Sequence, residues 1–224
     1  MTAPLVESKQ NANRQIGTPS TGPRSFDLGR VLSKFCLISV YLLFAYAHAV
    51  SLVEDGFRLS LALLVVFETI MIGYVLTRRD SHDVDFSALA VIAGLAGSFM
   101  ALGFRPAGGA EDALVGQVVQ IAGLLLQLGA SASLGRSFGL IPANRGIKSG
   151  GMYRLVRHPL YFAYFFSTIG YLINNISLRN VAVLAIGTGF QVIRIRYEER
   201  LLSADPDYRS YMQTVRWHLV PGIW

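Results

Sequence analysis

PLYFAYFFSTIGYLINNISLRNVAVLAIGTGFQVIRIRY, residues 159–197, decides how the chain is read. Between Pro159 and Arg194 the single charge is Arg179. Two apolar runs, roughly 159–176 and 180–197, are joined through Asn174, Asn175 and Ser177. A membrane-crossing helix needs about 20 residues, within a range near 17–25. These runs sit at the short end and read as a helical hairpin, spanning or partly inserted. A hairpin returns its two outer ends to one side of the membrane. Both ends are ionisable: Arg157-His158 precedes the first run, and Arg194 to Arg200 closes the second.

Upstream lie four further apolar segments, roughly 33–53, 58–77, 86–104 and 114–134. Hydrophobic residues make up 52% of the 224 and charged residues 15%, where a soluble domain carries about 25% charge. Mean hydropathy is +0.43. These figures exclude a soluble enzyme, a disordered tail protein and a coiled coil. The expected fold is all-α: a polytopic transmembrane helix bundle of about six segments, the last two a hairpin, with a cofactor pocket on the cytoplasmic side. Residues 1–30 are polar, lack the apolar core of a signal peptide, and read as a disordered cytoplasmic tail. Residues 31–112 then hold the N-terminal membrane helices, and 113–224 the part that carries chemistry.

Seventeen of the 20 Lys and Arg residues fall on the tail, alternate loops and C-terminal end; Arg58, Arg105 and Arg179 fall opposite. The positive-inside rule then puts both termini in the cytoplasm. The net charge of +6 is mostly topology and calls for no nucleic acid, although anionic headgroups suit it. With no organelle signal and a short tail, a bacterial inner membrane is the preferred location. Cys36 is the single cysteine, so no intramolecular disulfide forms. His48, His82, His158 and His218 are too scattered for a zinc site, and no metal is expected.

Ala93, Gly97 and Ala101 form one small-residue row, and Ala185 and Gly189 another, both suited to close helix packing. Gln117, Gln120, Gln127 and Ser131 share a helical face that should look into the bundle. Glu68 lies mid-segment, where a carboxylate is costly and needs a partner or a purpose. His48 lies near the outer end of its segment.

Residues 135–161 form a long polar loop rich in cations and glycine, unusual beside short loops. Its end, Tyr153 to Tyr161, opens a helix at Pro159, whose missing N–H costs nothing there. Arg157 and His158 sit beside the free amides of that helix start, an anion site in prospect. In the second cluster Arg194 and Glu198 are i,i+4 neighbours. Glu198 and Glu199 can bind a cationic group. Beyond them, 206–215 suits a helix with Tyr208, Tyr211 and Val215 on one side. Trp217 and Trp224 flank Pro221-Gly222. This end reads as an interfacial helix and lid.

In order and spacing, these patches resemble the isoprenylcysteine carboxyl methyltransferase family and its phospholipid methyltransferase relatives. The matching residues are Gly150, Gly151, Tyr153, Arg157, His158, Pro159 and Tyr161. Arg194, Glu198, Glu199 and Arg200 follow, then Tyr208, Tyr211 and Pro221-Gly222. The likeness spans roughly residues 115–224. It implies a membrane-embedded methyltransferase that uses S-adenosylmethionine and lacks a Rossmann fold. Tyr153, Arg157, His158, Pro159, Tyr161 and Glu199 would surround the cofactor, with Arg194 and Glu198 at the methyl-transfer centre. Family members often carry glycine just after the turn tyrosine. Here Phe162, Ala163 and Tyr164 stand there, which leaves the acceptor open. The expected substrate is lipophilic, a carboxylate, amine or hydroxyl compound entering from the bilayer. A sterol- or enone-type reductase using NADPH has a similar turn and is the competing enzyme. A non-catalytic membrane protein is the third reading.

Overall fold

The computed structural model describes residues 28–54, 56–57, 59–79, 81, 84–105 and 113–224. Among them are seven α-helices and no strand: α1 Leu28–Glu54, α2 Leu59–Leu76, α3 Ala88–Phe99, α4 Leu114–Leu134, α5 Pro159–Asn174, α6 Leu178–Leu202 and α7 Pro206–Thr214. A 3-10 turn, Met100–Gly103, extends α3. The expected tail falls outside the described residues up to residue 27, and α1 takes in residues 28–30. The elements below belong to the compact unit Ser33–Trp224, save the first residues of α1.

All six apolar segments are helical, but they differ in reach. Stretches within α1, α2, α4 and α6 are long and apolar enough to cross a membrane. Ala88–Gly103 is shorter, and α5 has 16 residues. At 1.5 Å per residue, 16 residues reach about 24 Å, less than a hydrocarbon layer of about 30 Å. Large apolar side chains such as Leu43, Val53, Leu125 and Leu178 are exposed on the long helices, as a lipid-facing surface requires.

The hairpin of α5 and α6 holds in connectivity. Ser177 caps α6, its side chain accepting from the Asn180 N–H. Asn180 is fully buried, and its amide donates to the carbonyls of Arg105 (2.8 Å) and Asn175 (2.6 Å). Yet the two helices scarcely touch along their length. α5 lies against α4 and α6 lies against α3. Both partnerships depend on glycine. A Cβ on Gly116 would enter the Asn174 side chain; one on Gly123 would strike Ser167, and one on Gly170 would strike Gln120. Those three contacts step along an antiparallel pair, and the buried Gln127 closes it by a hydrogen bond to the Ser167 hydroxyl. Backbones this close gain dispersion along the whole contact. Between α3 and α6, Gly97 faces Gln191, Gly103 faces Val183 and Gly187 faces Met100. Gln191 Nε2 donates to the Gly97 carbonyl at 2.9 Å.

The first small-residue row is therefore at a helix interface. The second is not: Gly189 faces open space, and Gly187 is the residue that packs. The small residue that matters is set by which face of α6 meets α3, and the Ala185–Gly189 spacing does not reveal that face. Gly123→Leu should force α4 and α5 apart and cost at least about 1–3 kcal/mol. Gly189→Ala should stay within about 0.5 kcal/mol of the parent. Thermal unfolding of both variants in detergent checks the contrast.

Candidate functional site

Splaying α5 from α6 leaves a cavity of about 800 Å³ among α1–α6, the 137–153 loop and the C-terminal segment. At one end stand Tyr153, Arg157, His158, Tyr161, Arg194 and Glu198. The walls also include apolar side chains, among them Phe67, Leu124 and Phe165, and the pair His48 and Glu68. Six of the eight expected site residues thus line one cavity. Pro159 and Glu199 do not line it.

Pro159 is the first residue of α5 and is buried. Glu199 stands behind the cavity wall. Its Oε1 accepts from Arg157 Nε at 2.9 Å, His158 Nε2 at 2.7 Å and Tyr208 Oη at 2.8 Å. The carboxylate cannot donate, so His158 must carry its proton on Nε2. Glu199 is an anchor whose Oε1 carries all three bonds, while its Oε2 lies 3.8 Å from His218 Nε2. Its neighbour Glu198 is turned to the cavity. Glu198 Oε1 accepts from Tyr161 Oη at 2.6 Å and from Arg194 Nε at 3.3 Å. Its Oε2 lies 3.8 Å from His158 Nδ1, beyond hydrogen-bond reach. One carboxylate oxygen therefore retains capacity. The adjacent glutamates differ because consecutive helical residues are 100° apart.

Arg194 is buried at 3% exposure and held on three sides. Nε meets Glu198, Nη1 donates to Ser98 Oγ at 3.0 Å, and Nη2 donates to the Gly139 carbonyl at 2.6 Å. Its Cζ lies 5.1 Å from the centre of the Tyr161 ring, a cation–π distance. A guanidinium has five N–H donors, so two remain for a ligand. Arg145 also lines the cavity, and its Nε is buried with no hydrogen-bond partner. Burial, reinforced by Arg78, lowers its pKa to about 10. Such an orphaned cation is costly unless an anion arrives.

The C-terminal segment completes the site. The α7 tyrosines do share a face: Tyr208 reaches Glu199, and Tyr211 Oη donates to the Tyr153 carbonyl at 2.6 Å. Burial raises the pKa of Tyr153, Tyr208 and Tyr211 alike, that of Tyr211 to about 12. All three remain neutral donors at physiological pH. Beyond α7 the chain becomes a strap. The Arg157 N–H donates to the Trp217 carbonyl at 2.9 Å, and the His158 N–H to the His218 carbonyl at 2.8 Å. The strap thus takes the amides of Arg157 and His158 themselves. Arg157 Nη2 lies 2.6 Å from His218 Nε2, and Trp224 stacks on His218 at 4.8 Å. Gly222, at φ +82°, makes the final turn that brings Trp224 back.

Sequence reasoning missed His218, Arg145, Ser98 and the Gly139 carbonyl. Only cations in the loop and a tryptophan beside a histidine hinted at two of them. Among the described residues, no cluster of three His, Cys, Asp or Glu could hold a metal.

Arg157 donates to His218 Nε2, which must therefore be unprotonated. Burial first, and Arg157 second, lower the His218 pKa. The unfolded chain then takes up a proton that the fold refuses. Stability is present above the ordinary histidine value near 6.5 and falls as pH drops through it. Unfolding temperatures of wild type and His218→Gln between about pH 8 and 5 should converge as pH falls. A constant gap would remove His218 from this role.

No curated protein matches the chain. Residues 115–204, less than half of the chain, match the isoprenylcysteine carboxyl methyltransferase (ICMT) family. Tyr208, Tyr211 and the Pro221-Gly222 turn lie beyond the matched residues. The match covers α4, the Arg157-His158-Pro159 turn, α5, and α6 with both glutamates. The segment that builds the ionisable end of the cavity is thus similar to the ICMT family, a family of methyltransferases.

Proposed function

We propose that the chain is an integral membrane methyltransferase that moves a methyl group from S-adenosylmethionine to a lipophilic carboxylic acid. The observation that carries this reading is a cavity with fixed charges at one end and apolar walls beyond. The positive-inside count supports placing the charged end, and both termini, at the cytoplasmic face.

The residues present fit the cofactor. S-adenosylmethionine brings a carboxylate, an ammonium, a sulfonium and an adenine. Arg145 has an orphaned buried Nε for a carboxylate. Glu198 Oε2 has acceptor capacity for an ammonium. The rings of Tyr153, Tyr161 and Trp224 line the same cavity and suit a sulfonium or a flat base. When bound, the cofactor supplies an activated methyl group on a positively charged sulfur.

The chain's own part is alignment. Arg194 is immobilised by Ser98, Gly139, Glu198 and Tyr161, and it offers two further N–H groups. A carboxylate acceptor would be fixed by that fork. Glu198 Oε1 is already engaged by a cation and a phenol. An acceptor that is anionic at the outset needs no base. This favours a carboxylate over an amine or hydroxyl as the nucleophile. Glu199, with Tyr208 bonded to it, holds Arg157 and His158 in place.

NADPH suits this end less well. A pyrophosphate wants several free donors, whereas Arg157 already has three of its five N–H groups on Glu199, Val215 and His218. Calorimetry on detergent-purified protein should give saturable binding of S-adenosylmethionine and none of NADPH. Glu198→Ala should abolish that binding. Arg194→Ala should retain it within about twofold and lose at least about 100-fold in methyl transfer. Binding of NADPH alone would move the assignment to the reductase. Full turnover by Arg194→Ala would strip that residue of its role.

A further inference from the structure

The cavity has a second polar group in its lining. On α1, Tyr41, Phe44 and His48 line it from one helical face. On α2, Leu61, Leu64, Phe67 and Glu68 do the same. Glu68 is only 4% exposed. His48 Nδ1 lies 2.9 Å from its Oε1 and 3.2 Å from its Oε2. The imidazole is stacked on Phe44 at 6.2 Å. This pair lies outside the residues that match the ICMT family.

An ionisable pair within membrane helices is costly to insert. A hydrogen bond between two helices alone could be made far more cheaply by serine and asparagine. Here the pair also opens on a ligand-sized space. Nδ1 is committed to Glu68, which leaves Nε2 as the remaining hydrogen-bonding atom of the imidazole. Gln120 lines the same cavity from α4, with its amide as a further polar group. A purely hydrocarbon tail could use neither. A hydroxyl could use both, because it donates to a neutral imidazole and accepts from a protonated one.

We propose that His48 and Glu68 form a second recognition site, which binds a hydroxyl group carried along the apolar chain of the acceptor. This deepens the proposed function and rests on it only for the statement that the bound lipid is the methyl acceptor. The acceptor class becomes a hydroxylated long-chain acid, with its carboxylate at Arg194 and its hydroxyl at His48. Such a substrate is supplied by an oxidation that installs a hydroxyl on an aliphatic chain.

The test is displacement of a fluorescent polyene fatty acid from the purified full-length protein, by stearic acid and by its monohydroxy positional isomers. It is read without S-adenosylmethionine. One isomer should displace the probe at about a tenfold lower concentration than stearic acid, the worth of one net hydrogen bond. In His48→Phe, which keeps a ring on Phe44, and in His48→Phe combined with Glu68→Leu, the preference should shrink below about twofold. Stearic acid itself should keep its affinity there. Equal displacement by all isomers, displacement by none, or a preference that survives both variants overturns the inference. If the variants do not fold, the wild-type isomer series alone decides. A parallel calorimetric titration with S-adenosylmethionine separates the two proposals. Hydroxyl preference without cofactor binding upholds the site and removes the methyltransferase reading. Cofactor binding without hydroxyl preference does the reverse.

Discussion

One oxygen of Glu199 joins three parts of the chain that are far apart in sequence. It accepts from Arg157 and His158 at the head of α5 and from Tyr208 on α7, while its own backbone belongs to α6. A carboxylate largely removed from water is tolerable only when so satisfied. The same demand works in reverse. Arg157 and His158 are each 6% exposed and would be costly without it. The anchor therefore sets the distance between α5 and α6 at one end. The strap from Val215 to Trp224 is laid over the joint and closes it with backbone hydrogen bonds.

Between that joint and the turn at residues 175–177, α5 and α6 scarcely touch. Each instead seeks glycine on another helix: α5 at Gly116 and Gly123 of α4, α6 at Gly97 and Gly103 beside it. Close packing in two separate pairs, with one ionic joint between them, is what leaves room for the cavity. Had the hairpin packed on itself, the space between its arms would be filled with side chains. The fold thus trades one helix contact for a binding volume.

The two glutamates divide the labour of the site. Glu199 anchors neighbouring side chains and does not line the cavity; Glu198 lines it, with one oxygen open. Arg194 is fixed by its partners before any ligand arrives, so little ordering remains to be done on binding. Arg145 is the complement, a half-buried cation with a buried, unmet Nε. Charge and capacity converge at one part of the cavity, and the His48–Glu68 pair adds a polarity elsewhere that hydrocarbon walls alone would lack.

Composition and apolar run length by themselves determined an all-helical membrane protein, because a bilayer admits few other solutions. The i,i+4 spacing of Arg194 and Glu198, the proline start of α5, and the shared face of Tyr208 and Tyr211 were equally legible, being local consequences of helix geometry. The ordered motif also pointed to the family. Only the tertiary structure decided which glutamate lines the cavity and which stands behind it, since the two are adjacent and chemically identical. It also decided that the amides of Arg157 and His158 go to the C-terminal strap, that Gly187 and not Gly189 packs, and that His48 meets Glu68 twenty residues away. Each depends on which helix faces which, and helical periodicity fixes a face without naming its partner.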